Sequence, residues 1–218
     1  MHINPKQLKA GLIGIALIAL SVSAVHAGKD AEKIVRKVHE KYQKLKTLRV
    51  DFVQSIYWSL AEEEQQVEGT LYLADGNRYR VETDNQIIVT DGQTVWTYSK
   101  DRNQVIINDL SASKENPLPR DLLLKYTHDF NARLIGETRF NGRPCYEIEF
   151  IPKAEEDFIV RTRIWVDKKR WLALKIEQED INENITRYVL KNFQIDRPLD
   201  ENLFTFEIAK DMEVIDLR

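Results

Sequence analysis

The sequence contains a single cysteine and four histidines among its 218 residues, and this scarcity excludes several kinds of site. Cys145 cannot form a disulfide within the chain, and its place in an alternating run with Glu147 and Glu149 indicates a structural strand residue rather than a reactive thiol. No two histidines have the spacing of a metal site, and no serine lies in a nucleophile-elbow motif. The sequence therefore predicts no metal site, no cofactor and no enzymatic activity.

The chain also lacks an excess of basic charge. Its formal net charge is −3 and its pI is near 5.9. A nucleic-acid surface needs concentrated lysine and arginine to neutralise phosphates, whereas here basic residues alternate with acidic ones. We therefore expect no nucleic-acid partner.

No apolar run is long enough to span a membrane, which takes about 20 residues. The run at residues 10–24 follows two lysines and leads into Val25-His26-Ala27, which offers small residues where a signal peptidase cleaves. The sequence therefore predicts a signal peptide over residues 1–27, cleaved after about Ala27, and one exported domain over residues 28–218. Retention of the segment as an anchor is the alternative.

Residues 68–110 contain short runs that alternate between apolar and polar side chains, and each run ends at a turn signal. Asp91-Gly92 is the strongest of these signals, because both residues accept positive φ angles at low cost. The pattern predicts an antiparallel meander. From Phe130 onward, further strands have one apolar and one charged face, which is typical of an antiparallel sheet with one wet side. Residues 199–217, which contain Phe204-Thr205-Phe206, are interpreted as an edge strand and tail.

Two stretches have helical periodicity. Apolar residues from Ile34 to Leu45 recur at helical spacing, which predicts a helix capped by Asp30 and running to about Lys46. Residues 110–126 combine prolines with leucines at helical spacing, which predicts a short helical lid over the open side of the sheet. About eleven strands in one sheet would curl, and short helices would cover its inner side only in part. The sequence thus predicts a mainly β fold with an apolar trough.

Four stretches, in this order and spacing, resemble the LolA family of periplasmic outer-membrane lipoprotein carriers: LRVDFVQ (48–54), EGTLYL (68–73), IVTDGQTVWTY (88–98) and DENLFTF (200–206). The resemblance implies an unclosed, half β-barrel of about eleven antiparallel strands, covered by an N-terminal helix and a short helical lid. It also implies a hydrophobic cavity in which the acyl chains of lipoproteins cross the periplasm. The implied partners of this monomer are acylated lipoproteins, an inner-membrane ATP-driven releasing ABC transporter and an outer-membrane acceptor.

Carried onto this chain, the resemblance implies a set of acyl-chain-binding residues on the strands and on the lid: Phe52, Leu71, Leu73, Tyr79, Val81, Trp96, Tyr98, Leu118, Leu122 and Leu123. In better-known members of the family, an arginine after the second strand ties down the lid. Asp75 occupies that position here, so Arg78 or Arg80 would have to replace it. Two alternatives are a lipid or lipoprotein sensor of the same fold and a carrier of another lipid.

Overall fold

A computed structural model describes residues 19–111, 129–154 and 156–218, and it describes side chains from residue 30 onward. The predicted lid, with Leu118, Leu122 and Leu123, lies outside the described residues. The described elements are one α-helix, twelve strands and one short 3-10 helix. Their bounds are α1 (Ala19–Gln43), β1 (Thr47–Trp58), β2 (Glu63–Ala74), β3 (Arg78–Thr83), β4 (Gln86–Thr90), β5 (Thr94–Ser99), β6 (Gln104–Asp109), β7 (Phe130–Phe140), β8 (Arg143–Pro152), β9 (Ile159–Asp167), β10 (Ala173–Asp180), β11 (Ile185–Ile195), the 3-10 helix (Glu201–Phe204) and β12 (Glu213–Asp216).

The described strands form one unclosed sheet in the order β12-β6-β5-β4-β3-β2-β1-β11-β10-β9-β8-β7. β1 pairs with both β2 and β11, so it joins the meander β1–β6 to the meander β7–β11. All neighbours are antiparallel except β12, which pairs in parallel with β6. The predicted fold class, a mainly β half-barrel with an N-terminal helix, is confirmed, and the sheet has twelve strands where about eleven were expected.

Helix α1 packs on one side of this sheet, which we call the inner face. The side chains predicted to line one side of the helix are buried there, including Ile34, Val38 and Tyr42. The amide of Ala173 donates a hydrogen bond to the Tyr42 hydroxyl at 3.3 Å. The main core lies between α1 and the inner face of β1 and β8–β10, and it includes Leu48, Val50, Ile148, Phe150, Ile164, Val166, Leu172, Ala173 and Ile176.

Three predicted boundaries are wrong. Asp30 lies inside α1 rather than at its start, because a single glycine such as Gly28 costs a helix only about 1 kcal/mol and does not end it. The polar composition of residues 61–66 predicts a solvated tip before the meander, but this acidic stretch belongs to β2 from Glu63 onward. Its backbone pairs with β1, and exposed strand residues on a wet face need not be apolar.

The third wrong boundary concerns the predicted edge strand and tail over residues 199–217. Phe204 ends the 3-10 helix, whose first turn is capped by the Asp200 carboxylate accepting from the Asn202 amide at 3.0 Å. Within the predicted range, the edge strand is β12 alone, and β7 forms the other edge of the sheet. Sequence alternation cannot tell the two apart, since Phe204 alternates with Phe206 but is buried by packing rather than by pairing.

The opposite side of the sheet, which we call the outer face, is charged over β7–β11. Register places Arg133, Glu149, Arg163, Glu177 and Arg187 in one row across these five strands, with alternating sign. The Glu149 carboxylate accepts from Arg133 at 2.6 Å and from Arg163 at 3.3 Å, and the Glu177 carboxylate accepts from Arg187 at 3.0 Å. This row accounts for the regular alternation of charged and apolar residues in the sequence of β7–β11.

Glu149 supplies a test of this row, because it is only 4% exposed. Burial alone would raise the pKa of this carboxyl, but the hydrogen bonds and charges of Arg133 and Arg163 outweigh it and lower the pKa. We expect Glu149→Gln to reduce the free energy of unfolding by about 1–2 kcal/mol at pH 7. A lowered pKa means that the ionised form stabilises the fold above the unfolded-state pKa, and that this stabilisation disappears as pH falls through the folded-state pKa. Urea unfolding at pH 7, 5 and 3 should therefore show the difference shrinking toward zero at the lowest pH.

Glu147→Gln is the matched control for this prediction. Glu147 lies on the same strand and face, but its carboxylate is 4.0 Å from Arg163 and its side chain is more exposed. Its effect should be smaller at every pH. Equal effects of the two variants would contradict a specific role for Glu149.

Candidate functional site

The inner face continues beyond the core onto β2–β6, and strand register identifies its residues. Side chains that face each other across neighbouring strands lie on the same side of a sheet. Leu71 pairs with Val81, Val81 with Ile88, Ile88 with Thr97, and Thr97 with Ile106. These five form one inner row across β2–β6. A second row runs through Leu73, Tyr79, Thr90 and Val95.

Five of the residues predicted to bind acyl chains lie together on this inner face: Phe52, Leu71, Leu73, Tyr79 and Val81. Phe52 and Tyr79 are buried, whereas Leu71, Leu73 and Val81 keep part of their surface exposed. The exposed remainder is the surface that a ligand could cover.

Gly69 leaves room for the Phe52 ring on the inner face. The two residues pair across β1 and β2, and a Cβ built at Gly69 would come within 2.5 Å of the Phe52 ring and within 2.5 Å of the Glu82 carbonyl oxygen. Any side chain at residue 69 would therefore have to displace the ring or the neighbouring strand. Gly69 is part of the site because the absence of a side chain there lets the Phe52 ring occupy the inner face next to Leu71.

The structure places Trp96 and Tyr98 on the outer face instead. Trp96 pairs with Val89 and Ile107, and Tyr98 with Ile87 and Val105, all one residue out of phase with the inner rows. The Tyr98 ring lies 5.4 Å from that of Phe206 in the C-terminal segment. The two aromatics therefore do not join the other five predicted residues.

The C-terminal segment covers this part of the outer face. Phe204 is buried against β3 and β4, next to Arg78, whose guanidinium lies 5.2 Å from the centre of the Phe204 ring. Arg78 also forms an ion pair with Glu201 and donates to the Asp75 carbonyl at 2.9 Å. Val89, Val105 and Ile107 are buried on the same face.

This arrangement bears on the predicted lid latch. Arg78 binds the C-terminal segment, and Arg80 pairs with Glu82 at 3.1 Å. Both arginines alternate with Tyr79 and so point to the outer face, away from the inner trough. Neither arginine therefore lies on the side of the sheet where the lid is expected.

Sequence reasoning missed three inner-face residues: Ile88, Val95 and Ile106. The available signal was the hairpin at Asp91-Gly92. The Asp91 carboxylate caps this turn by accepting from the amides of Gln93 and Thr94, both at 2.8 Å. A short turn sets the register, here Thr90 opposite Val95, and register assigns Ile88 to the side of Val81.

Away from the edge strand β7, where Glu137 lies opposite the inner residue Tyr146, the inner face is nearly free of charge. Among its described positions on β1–β6 and β8–β11, the charged residues are Glu63 and Asp180, both at strand ends. The Asp180 carboxylate is occupied by the turn after β10, where it accepts from the amides of Asn182 at 2.8 Å and Asn184 at 3.0 Å. The middle of the inner face is therefore uncharged.

Two spaces of very different size lie along the strands. The end nearest the C-terminus of α1 is tightly filled, with a cavity of about 20 Å³ between Leu45, Leu48, Leu73 and Tyr79, little more than one water molecule needs. Further along the strands an open groove of about 650 Å³ includes Gln54, Val67, Thr83, Gln86 and Ser99 in its lining. Free space thus increases with distance from the C-terminus of α1.

The sequence predicts neither a reactive thiol nor a metal site. Cys145 is fully buried in β8, and burial raises the pKa of its thiol, as for a structural strand residue. Among the described residues no three histidine, cysteine or acidic side chains are arranged to hold a metal ion. In the same part of the chain, no helix combines the length and the hydropathy that a membrane span requires.

Comparison with known proteins gives a consistent family signal. The sequence profile described as outer membrane lipoprotein carrier protein LolA matches residues 43–207. An outer-membrane lipoprotein carrier protein of Coxiella burnetii (strain CbuK_Q154) is 25% identical in an alignment 223 residues long. The alignment covers 97% of this chain and 99% of that protein. An uncharacterized protein of Methanocaldococcus jannaschii is 26% identical over 178 residues, and the chain spans about half (51%) of its length.

A solved structure has the same fold. The crystal structure of an uncharacterized conserved protein from Thermus thermophilus superposes with a TM-score of 0.59 at 17% sequence identity, covering 86% of this chain and 99% of that one. At this identity the likeness concerns the fold alone. It supports the strand order of the sheet.

Proposed function

The chain belongs to the family of outer-membrane lipoprotein carrier proteins (LolA), and from that premise we propose that it is a periplasmic carrier that binds lipoprotein acyl chains on the inner face of its sheet. The observation that carries the proposal is the uncharged apolar row through Leu71, Val81 and Ile88, which α1 leaves partly exposed. In the proposal, Phe52, Leu73 and Tyr79 complete the floor of the trough.

The dimensions of the row suit an acyl chain. Five strands at about 4.8 Å spacing measure about 19 Å from β2 to β6. One leaflet of a membrane has a hydrocarbon depth of about 15 Å, half of the bilayer core. Each methylene transferred from water contributes about 0.8 kcal/mol, so a sixteen-carbon chain gains about 13 kcal/mol. A carrier must release its cargo, so something must offset much of this gain when the trough is empty.

The proposal also includes export of the protein to the periplasm. A signal peptide over residues 1–27 would deliver the domain of residues 28–218 to the periplasm, where an inner-membrane ABC transporter supplies lipoproteins and an outer-membrane acceptor receives them. The mass spectrum of the protein purified from periplasm tests this part. A polypeptide beginning at Gly28 together with a copurifying acylated polypeptide is expected, and an uncleaved chain without any acylated partner would contradict it.

Transfer to acceptor membranes distinguishes a carrier from a sensor of the same fold. The protein is loaded with a labelled triacylated lipoprotein and mixed with outer-membrane vesicles. A carrier gives up its cargo to the vesicles, so the label should leave the soluble fraction. Retention of the label would favour a sensor, and failure to load, with loading of other lipids instead, would favour a carrier of another lipid.

A further inference from the structure

A group of uncharged polar side chains crosses the inner face between the apolar rows and the far ends of the strands. We call it the polar band and define it as Gln54, Thr162, Gln178, Thr186 and Tyr188. Register places Thr162 opposite Gln178, Gln178 opposite Thr186, and Tyr188 opposite Gln54, all on the side of the core residues Ile164 and Ile176. Amides and hydroxyls thus span β9, β10, β11 and β1 with no charge among them.

Thr162 shows that the band is not fully satisfied by the protein itself. Its side chain is 0% exposed, and its Oγ1 has no hydrogen-bond partner in the part of the chain that the structure describes. An unpaired buried hydroxyl costs about 1–3 kcal/mol, so folding alone would favour valine, which has nearly the same shape. A ligand acceptor would offset that cost.

The Tyr188 hydroxyl is a second donor available to a ligand. The Gln54 amide donates to the Tyr188 hydroxyl oxygen at 3.2 Å, so the oxygen accepts and the phenolic proton remains to be donated. Burial raises the pKa of Tyr188, which keeps that proton in place at neutral pH. Two hydroxyl donors, Thr162 and Tyr188, therefore lie on the same face within an uncharged setting.

The band meets the open groove of about 650 Å³ at Gln54, which lines this groove together with Gln86 and Ser99. Asp84 and Asp101 also line this groove. Their carboxylates would repel an anionic head group, and the uncharged band would leave one without a counter-ion. Ester and amide carbonyls have the opposite properties, since they are neutral and accept hydrogen bonds from hydroxyls and amides.

We propose that the polar band binds the ester and amide carbonyls at the point where a ligand's acyl chains meet its neutral head. The acyl chains then lie along the apolar row toward Leu71 and Val81, and the head leaves through the groove. This inference rests on the proposed function for its cargo, and it adds a second, polar determinant of recognition. A lipidated polypeptide N-terminus and a neutral diacylglycerol share the required chemistry.

The test compares two probes that differ in carbonyl content. One is a synthetic triacyl-cysteinyl peptide, and the other is 1-N-phenylnaphthylamine, an apolar fluorophore without a carbonyl. The double variant Thr162→Val, Gln54→Leu should bind the peptide about tenfold more weakly, as expected for the loss of one to two net hydrogen bonds, and the fluorophore within twofold of the original affinity. Equal losses for both probes, or no loss for the peptide, would overturn the proposal.

Two further measurements exclude a merely structural role. Thr162→Val alone should raise the melting temperature of the unliganded protein while weakening peptide binding, because it removes an unpaired buried hydroxyl. Gln194→Leu, on an exposed part of β11, is the matched control and should leave peptide affinity unchanged. If the double variant does not fold, the single variants Thr162→Val and Gln54→Leu take its place in the same comparison.

Binding of diacylglycerol, measured beside binding of the peptide, distinguishes a failure of this proposal from a failure of the proposed function. If the unmodified protein binds diacylglycerol through the band but not the triacyl-cysteinyl peptide, the band is supported and the lipoprotein carrier proposal fails. If it binds the peptide and the band variants change nothing, the carrier proposal is supported and the band fails. An anionic phosphatidylglycerol probe should bind more weakly than diacylglycerol, and tighter binding would overturn the preference for neutral heads.

Discussion

Replacing Ile88 with aspartate should weaken binding of a triacylated lipoprotein at least a hundredfold, whereas Ile87→Asp, one residue earlier, should change it less than threefold. Ile88 lies on the inner face between Val81 and Thr97, in the middle of the proposed acyl-chain path. A carboxylate there would have to lose its hydration when a chain covers it, which costs several kcal/mol. Since each 1.4 kcal/mol is a factor of ten in affinity, a hundredfold loss is a conservative expectation.

The pair is matched because both residues are half-buried isoleucines on the same strand and differ mainly in face. Ile87 pairs with Tyr98 on the outer face. Binding is measured with labelled lipoprotein, and far-UV circular dichroism and urea unfolding are recorded for both variants. Equal loss of binding in two folded variants would mean that the inner face of β4 is not the binding surface.

Replacing Phe204 with alanine should reduce the free energy of unfolding by about 3–5 kcal/mol, the range observed when a fully buried aromatic side chain is removed. Phe204 is 2% exposed and packs on the outer face with Arg78. The variant should also expose the C-terminal segment to proteolysis, because Phe204 anchors it to β3 and β4. Lipoprotein affinity of the folded fraction should stay within about threefold, since the segment lies on the face opposite the trough.

Phe206→Ala is the control for this prediction. Phe206 is only partly buried and contacts Tyr98 in a tilted arrangement, so its loss should cost less, about 1–2 kcal/mol. The measurements are urea unfolding and limited proteolysis. A Phe204→Ala protein that is as stable as the original but no longer binds lipoprotein would show that the two faces have been assigned the wrong way round.

The family resemblance implies an arginine that ties down the lid, but neither Arg78 nor Arg80 lies on the inner face. Arg78 instead attaches the C-terminal segment through its ion pair with Glu201. The Phe204→Ala and Ile88→Asp variants therefore test the two faces of β3 and β4 separately. The outer face holds the C-terminal segment, and the inner face is proposed to bind the acyl chains of the cargo.

Alternation was a reliable guide where one face of the sheet is wet. On β8 and β10, charged residues such as Glu147 and Glu177 alternate with buried ones such as Ile148 and Ile176, and the assignment of each side chain follows directly. The same holds for α1, because its buried residues Ile34, Val38 and Tyr42 repeat at helical spacing. The Asp91-Gly92 turn likewise predicts the β4–β5 hairpin from local chemistry.

Alternation fails where both faces are covered. On β4 and β5, Ile88 and Val95 are inner residues while Val89 and Trp96 are outer residues, and all four are apolar. The sequence alone therefore determined the family, the antiparallel sheet and the amphipathic helix. The assignment of Trp96 and Tyr98 to the outer face, and the alignment of the polar band across four strands, required the folded chain. Both depend on strand register and on a C-terminal segment about a hundred residues away, and such long-range packing leaves no periodic trace in the strands that it covers.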